Sequence, residues 1–152
     1  MEPYDPKSTG GLSPDLLAAY RSTEYWIDDL QVALKIGQGC PPLDRLLADN
    51  NLEIAVFITA WNPRSKTQPD DENRRQNTSL KVRLERLGFV HVYAGEGRGA
   101  DDAWVPESSF LVLGMSSSRA DALAADYAQN AYVYYEQGRA SLMVCPPQAS
   151  EV

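Results

Sequence analysis

At 152 residues, with 43% apolar and 23% charged side chains, the chain has the length and composition of one globular domain rather than a disordered or fibrous protein. A formal net charge of −7 repels phosphate backbones and argues against general nucleic-acid binding. No apolar run nears the roughly 18 residues of a membrane span, and Met1 to Leu12 lacks the apolar block of a secretory signal, so the expected location is the cytoplasm.

Residues 1–12 read as a loose N-terminal segment, 13–145 as the domain and 146–152 as a tail. Ser13-Pro14 is a capped helix start, and the helix it opens runs to about Tyr20. Thr23 to Ile27 and Gln31 to Ile36 predict a hairpin about Asp28-Asp29. Pro42 opens a short helix through Leu47. Glu53 to Ala60 is β-branched and nearly all apolar, the pattern of a central strand. A polar loop from Asn62 to Asp71 leads into a helix over 71–87, which Gly88 is placed to end. Phe89 to Ala94 is the next strand and Gly95 to Trp104 a loop. Ser109 to Leu113 is again apolar, Ser116 to Ser118 cap a helix ending near Ala128, and Ala131–Glu136 with Ala140–Val144 form a hairpin about Gln137-Gly138. The order αββαβαββαββ is that of an α+β domain, with helices on a mixed sheet and a right-handed βαβ unit made by residues 53–94.

The long helix carries the most information. Asn73, Asn77, Leu80, Leu84 and Leu87 follow at i, i+4, i+7, i+11 and i+14, so two asparagines share the core-facing stripe with three leucines. Both lie at its N-terminal end, above the carboxyl end of the Glu53–Ala60 strand, where Trp61 and Asn62 leave the sheet. Crevices of α/β sheets open at that edge, and helix N-termini attract anions. Two readings follow. Either the amides tie down the long loop by bonding its backbone, or they line a pocket for a small polar, anionic or nucleotide-like ligand.

Seven of the fourteen basic residues fall between Arg64 and Arg86, against four acidic ones. Arg64, Lys66, Arg74 and Arg75 are therefore either a solvated face or contacts to an anion. Glu107, just ahead of a buried strand, is a turn residue or a pocket carboxylate, and the one carboxylate suited to act as a base. Gln129-Asn130 separates the last helix from the next strand. The single histidine, His91, and two scattered cysteines match no metal or redox spacing, so neither metal nor cofactor is expected. Asn77-Thr78-Ser79 matches a glycosylation sequon, but a core-facing asparagine makes that match a coincidence.

At these residues the chain resembles a bacterial family known as domain of unknown function 3293. The resemblance rests on Phe57-Ile58-Thr59-Ala60-Trp61-Asn62-Pro63-Arg64-Ser65, on Glu72-Asn73-Arg74 and Asn77, on Pro106 to Val112, and on Tyr127 to Ala131; it extends over about residues 18–143. It implies one shared signature of Trp61, Asn62, Asn73, Asn77, Glu107, Ser109, Gln129 and Asn130, and a glycine where Ala128 stands. It brings no activity with it. The site residues expected for a ligand are Trp61, Asn62, Arg64, Asn73, Asn77, Glu107, Gln129 and Asn130. The competing reading is a non-catalytic acidic interaction module in which the amides are purely structural.

Overall fold

A computed structural model describes residues 12–100 and 105–145. The predicted loose ends, apart from Leu12, and Trp104 lie outside those residues. Four α-helices and seven strands follow in the predicted order among the described residues: α1 (Pro14–Ser22), β1 (Glu24–Ile27), β2 (Val32–Leu34), α2 (Pro41–Asp49), β3 (Ile54–Ile58), α3 (Asp70–Arg86), β4 (Val92–Arg98), β5 (Glu107–Leu113), α4 (Ser117–Asp126), β6 (Ala131–Glu136) and β7 (Arg139–Val144). Local chemistry sets the boundaries. Ser13 Oγ accepts from Leu16 N at the start of α1, and Ser116 Oγ accepts from Arg119 N at the start of α4. The acidic first turn of α3 (Asp70, Asp71, Glu72) and its basic last turn (Arg83, Arg86) complement the helix dipole. Gln137 and Gly138 both take positive φ, as a tight hairpin turn between twisted strands requires.

The strands form one sheet in the order β2-β1-β4-β5-β3-β6-β7. The α+β class stands, and β3 is interior as predicted, but every ladder is antiparallel where a mixed sheet was expected. β3 and β4 do run in the same direction, each antiparallel to β5, which lies between them. The βαβ unit is thus split, with α3 packed on β5 as the chain passes over it. Hydrophobic periodicity marks a strand's faces, not its hydrogen-bonding neighbour, so it does not reveal an inserted strand. β4 also extends beyond the predicted 89–94 strand, taking Gly95 to Arg98 from the expected loop. Gly95 is there because a Cβ would stand 2.2 Å from Trp26 O and 3.0 Å from the Phe57 ring.

Alternation along β3 divides the core. Ala55 and Phe57 face a cluster with Tyr25, Ile27, Leu34, Leu43, Leu47 and Tyr135, closed by α2. Val56 and Ile58 face the opposite cluster with Leu80 and Leu84 of α3 and Ala120, Leu123 and Ala124 of α4. The sheet curls about the first cluster, and the segment after β2 reaches the far edge: Gly37 N donates to Ala140 O (2.8 Å) and Ala140 N to Gln38 O (3.0 Å). Both edges are thereby brought together around α2, which limits unpaired edge. Leu87 departs from the predicted stripe. It caps the C-terminus of α3 and is 39% exposed, because the helix ends one residue earlier.

No helix among the described residues is long and apolar enough to cross a membrane. Cys40 and Cys145 are buried free thiols, and burial pushes both above the usual thiol range, Cys145 to about 11, which leaves little reactive thiolate.

Candidate functional site

The carboxyl end of β3, the start of β5, the first half of α3 and the Ala128–Asn130 corner meet at one edge of the sheet. Antiparallel pairing of β3 with β5 runs as far as Ile58 opposite Phe110, and Asn77 extends the connection from there. Its Oδ1 accepts from Ala60 N (2.9 Å) and its Nδ2 donates to Ser108 O (2.9 Å). Thr59 Oγ1 donates to the same carbonyl at 2.6 Å. The helix thus supplies side-chain amides where the two strands diverge.

Beyond β3 the chain turns sharply. Asn62, Arg64 and Ser65 all take left-handed backbone conformations, with φ of 46°, 56° and 60°. Asparagine tolerates that region, whereas Arg and Ser enter it at a cost, so the loop must be held from outside. Asn73, 1% exposed, is the principal tie. Its Oδ1 accepts from Asn62 N (2.8 Å) and Gln68 Nε2 (2.6 Å), and its Nδ2 donates to Asn62 Oδ1 (2.8 Å). Arg64 N donates to Ala128 O (2.7 Å), Asn130 Nδ2 to Ser65 Oγ (3.1 Å) and Gln129 Nε2 to Trp61 O (3.3 Å). Tyr20 of α1 closes the set, its hydroxyl 2.5 Å from Ser65 Oγ. Ala128 itself has φ of 53°, the conformation for which the implied glycine suits that corner.

A cavity of about 260 Å³ opens between this loop and the start of β5. Trp61 and Val105 form apolar walls, and Asn62, Gln68, Asp70 and Glu107 are among its polar lining. Glu107 Oε2 accepts from Asn62 Nδ2 at 3.0 Å. Burial raises the Glu107 carboxyl above its ordinary range, and the Asn62 hydrogen bond partly offsets that rise. Among the described residues no Lys or Arg lines the cavity.

Of the sequence-predicted residues, Trp61, Asn62, Asn73 and Glu107 meet at the cavity. Asn77, Gln129 and Asn130 stand behind it, bonded to the loop and to the neighbouring strand. Arg64 is tied through its backbone, and its exposed side chain is outside the lining. Sequence reasoning missed Tyr20, Ser65, Thr67, Gln68 and Asp70. Tyr20 is 45 residues from Ser65 on a helix that buries no residue, and Gln68 lies in an aperiodic loop; neither carries a pattern that would mark it. Among the described residues no group of three His, Cys, Asp or Glu side chains is arranged to hold a metal ion.

Among known families, the model of one described as a protein of unknown function (DUF3293) fits residues 58–132. The chain therefore resembles that family over the segment that builds this site, a narrower span than the sequence resemblance implies. No curated protein and no solved structure matches the chain.

Proposed function

We propose that the domain binds a small polar molecule, through its hydroxyl or amino groups, in the cavity between Trp61 and Glu107. The observation that carries this reading is Glu107: a largely buried carboxylate, bonded by Asn62, on the wall of a cavity open to a ligand. Buried carboxylates without a cationic neighbour are costly, and a hydrogen-bond donor or a cation from a ligand offsets that cost. Asp70 adds a second acceptor at the rim. The acidic first turn of α3 already complements the helix dipole, so the anion expected from sequence is disfavoured inside this cavity. The amides of Asn73 and Asn77 hold the walls and leave recognition to Asn62, Gln68, Glu107 and the indole face of Trp61.

A second reading, an interaction module with structural amides, is favoured by one observation: every hydrogen-bonding atom of the Asn73 side chain already has a partner in the loop. Thermal-shift and calorimetric titration against neutral polyols, primary amines, carboxylates and phosphates separates the two. The ligand-binding reading expects saturable stabilisation by polyols or amines, lost in Glu107→Gln for amines and weakened for polyols. A flat response to both classes, or binding indifferent to Glu107→Gln and Trp61→Ala, overturns it.

A further inference from the structure

A second, more open depression of about 400 Å³, also lined by Trp61, lies between α3 and the start of β5. Its chemistry is the opposite of its neighbour's. Phe110 and Val82 supply apolar surface, Val82 at 40% exposure, and Trp61 stands at one end. Arg74 and Lys81 line it, with no carboxylate among the described lining residues. They are seven residues apart on α3, two turns along the same face, or about 10 Å. Thr78, four residues from one and three from the other, places a hydroxyl between them. Two other cations of this helix are paired: Arg83 with Asp126 at 2.5 Å, and Arg75 with Glu72. Neither Arg74 nor Lys81 forms an ion pair among the described residues. In a chain of net charge −7, a concave surface whose described lining holds two cations and no acid departs from the overall charge balance.

We infer that this groove is a binding site for a small aromatic anion, whose ring lies on Trp61 and Phe110 and whose acid group sits between Arg74 and Lys81 beside Thr78. Each part answers one feature of the groove. Aromatic and apolar side chains left half-exposed at a concave surface favour a planar apolar group. Arg and Lys provide charge-assisted hydrogen bonds to a phosphate, sulfonate or carboxylate. The volume is within the range of small-molecule sites, and the depression is open enough that no segment must move for entry. The site is chemically separate from the Glu107 cavity. That cavity takes donors and cations, this groove takes acceptors and anions, and Arg74 and Lys81 line the groove and not the cavity.

The test uses 1-naphthyl phosphate as probe, with 1-naphthol and inorganic phosphate as its separated halves, monitored by amide and indole NMR shifts on the full chain. The naphthyl phosphate should bind saturably, shift signals of residues 74–82 and the Trp61 indole, and bind more tightly than either half alone. Binding should weaken with added salt, because the anion contacts are solvent-accessible. The double variant Arg74→Gln/Lys81→Gln should lower affinity by roughly tenfold or more, about the worth of one good charge-assisted contact, while its urea midpoint stays unchanged. Glu107→Gln should leave the affinity within roughly twofold, which distinguishes this groove from the cavity. Naphthol binding as tightly as its phosphate, indifference to the double variant, or shifts confined to the Glu107 side of Trp61 would each overturn the inference, as would no binding up to millimolar probe.

Discussion

Asn73 is where the loop's geometry is most directly open to perturbation. Asn73→Ala removes the acceptor of the Asn62 N–H and of Gln68 Nε2, and the donor to Asn62 Oδ1. Gln68 is a flexible side chain lining the cavity and can turn to water. The Asn62 N–H cannot, because its backbone is fixed in the left-handed region. One stranded backbone donor costs about 1–3 kcal/mol, and the lost amide bond to Asn62 Oδ1 about 1 kcal/mol more, for an expected total of about 2–4 kcal/mol. That is a large fraction of a typical domain's stability and still leaves it folded. Urea denaturation should report a lower midpoint with the slope unchanged. Asn73→Leu should not recover the loss, because apolar volume supplies no acceptor. Asn73→Asp should be intermediate, keeping both accepted bonds and losing the donated one. A loss under about 0.5 kcal/mol for the alanine variant, or recovery by leucine, would refute the claim that this amide holds the loop.

The Glu107 carboxyl is raised by burial, so its ionisation opposes folding: the folded state holds the proton more tightly than the unfolded state, whose ordinary value is 4.5. Wild type should therefore match Glu107→Gln at pH below that value and fall behind it as pH rises through the raised folded value. A stability difference independent of pH would contradict this. Ala128→Gly should stabilise by about 1 kcal/mol by relieving the left-handed backbone at φ 53°, read as a higher urea midpoint; a destabilised variant would contradict it. Gly95→Ala should cost about 3 kcal/mol or more, since the added carbon meets the Trp26 carbonyl at 2.2 Å; a loss below about 1 kcal/mol would show that the two strands separate easily.

The order of helices and strands was legible because caps, turn residues and apolar alternation are local signals. Ser13 and Ser116 cap the helices they were read to cap, and Ala131–Glu136 has the predicted bounds. The burial of Asn73 and Asn77 was legible too, since i, i+4, i+7 spacing ties them to Leu80 and Leu84. What β5 pairs with was not. Nothing in Ser109–Leu113 records that it lies between β3 and β4, because a strand with both faces packed reads alike beside any neighbour. Gly95 and Gly97 suggested a loop, whereas both are paired in β4, opposite Ile27 and Tyr25. A glycine that makes room for an aromatic ring across a sheet looks in sequence like one that makes a turn. The amides' partners were illegible for a related reason: a buried asparagine announces a need for hydrogen bonds, but Gln68 and Tyr20 satisfy the loop from positions without periodicity.

The arrangement also explains why so many amides cluster at this edge of the sheet. A loop with three left-handed non-glycine residues has backbone groups that no sheet or helix ladder satisfies. Asparagine and glutamine both donate and accept, so Asn62, Asn73, Asn77 and Gln129 can bind N–H and C=O groups alike, at any pH. Trp61 is fixed by the same means: its N–H donates to Thr59 Oγ1 at 3.0 Å and its carbonyl accepts from Gln129. Trp61, held through its own backbone, lines both the Glu107 cavity and the Arg74–Lys81 groove. Neutral amides are suited to hold this loop because they add no net charge to either depression. The charged groups are set apart accordingly: Glu107 and Asp70 line the cavity, and Arg74 and Lys81 line the groove.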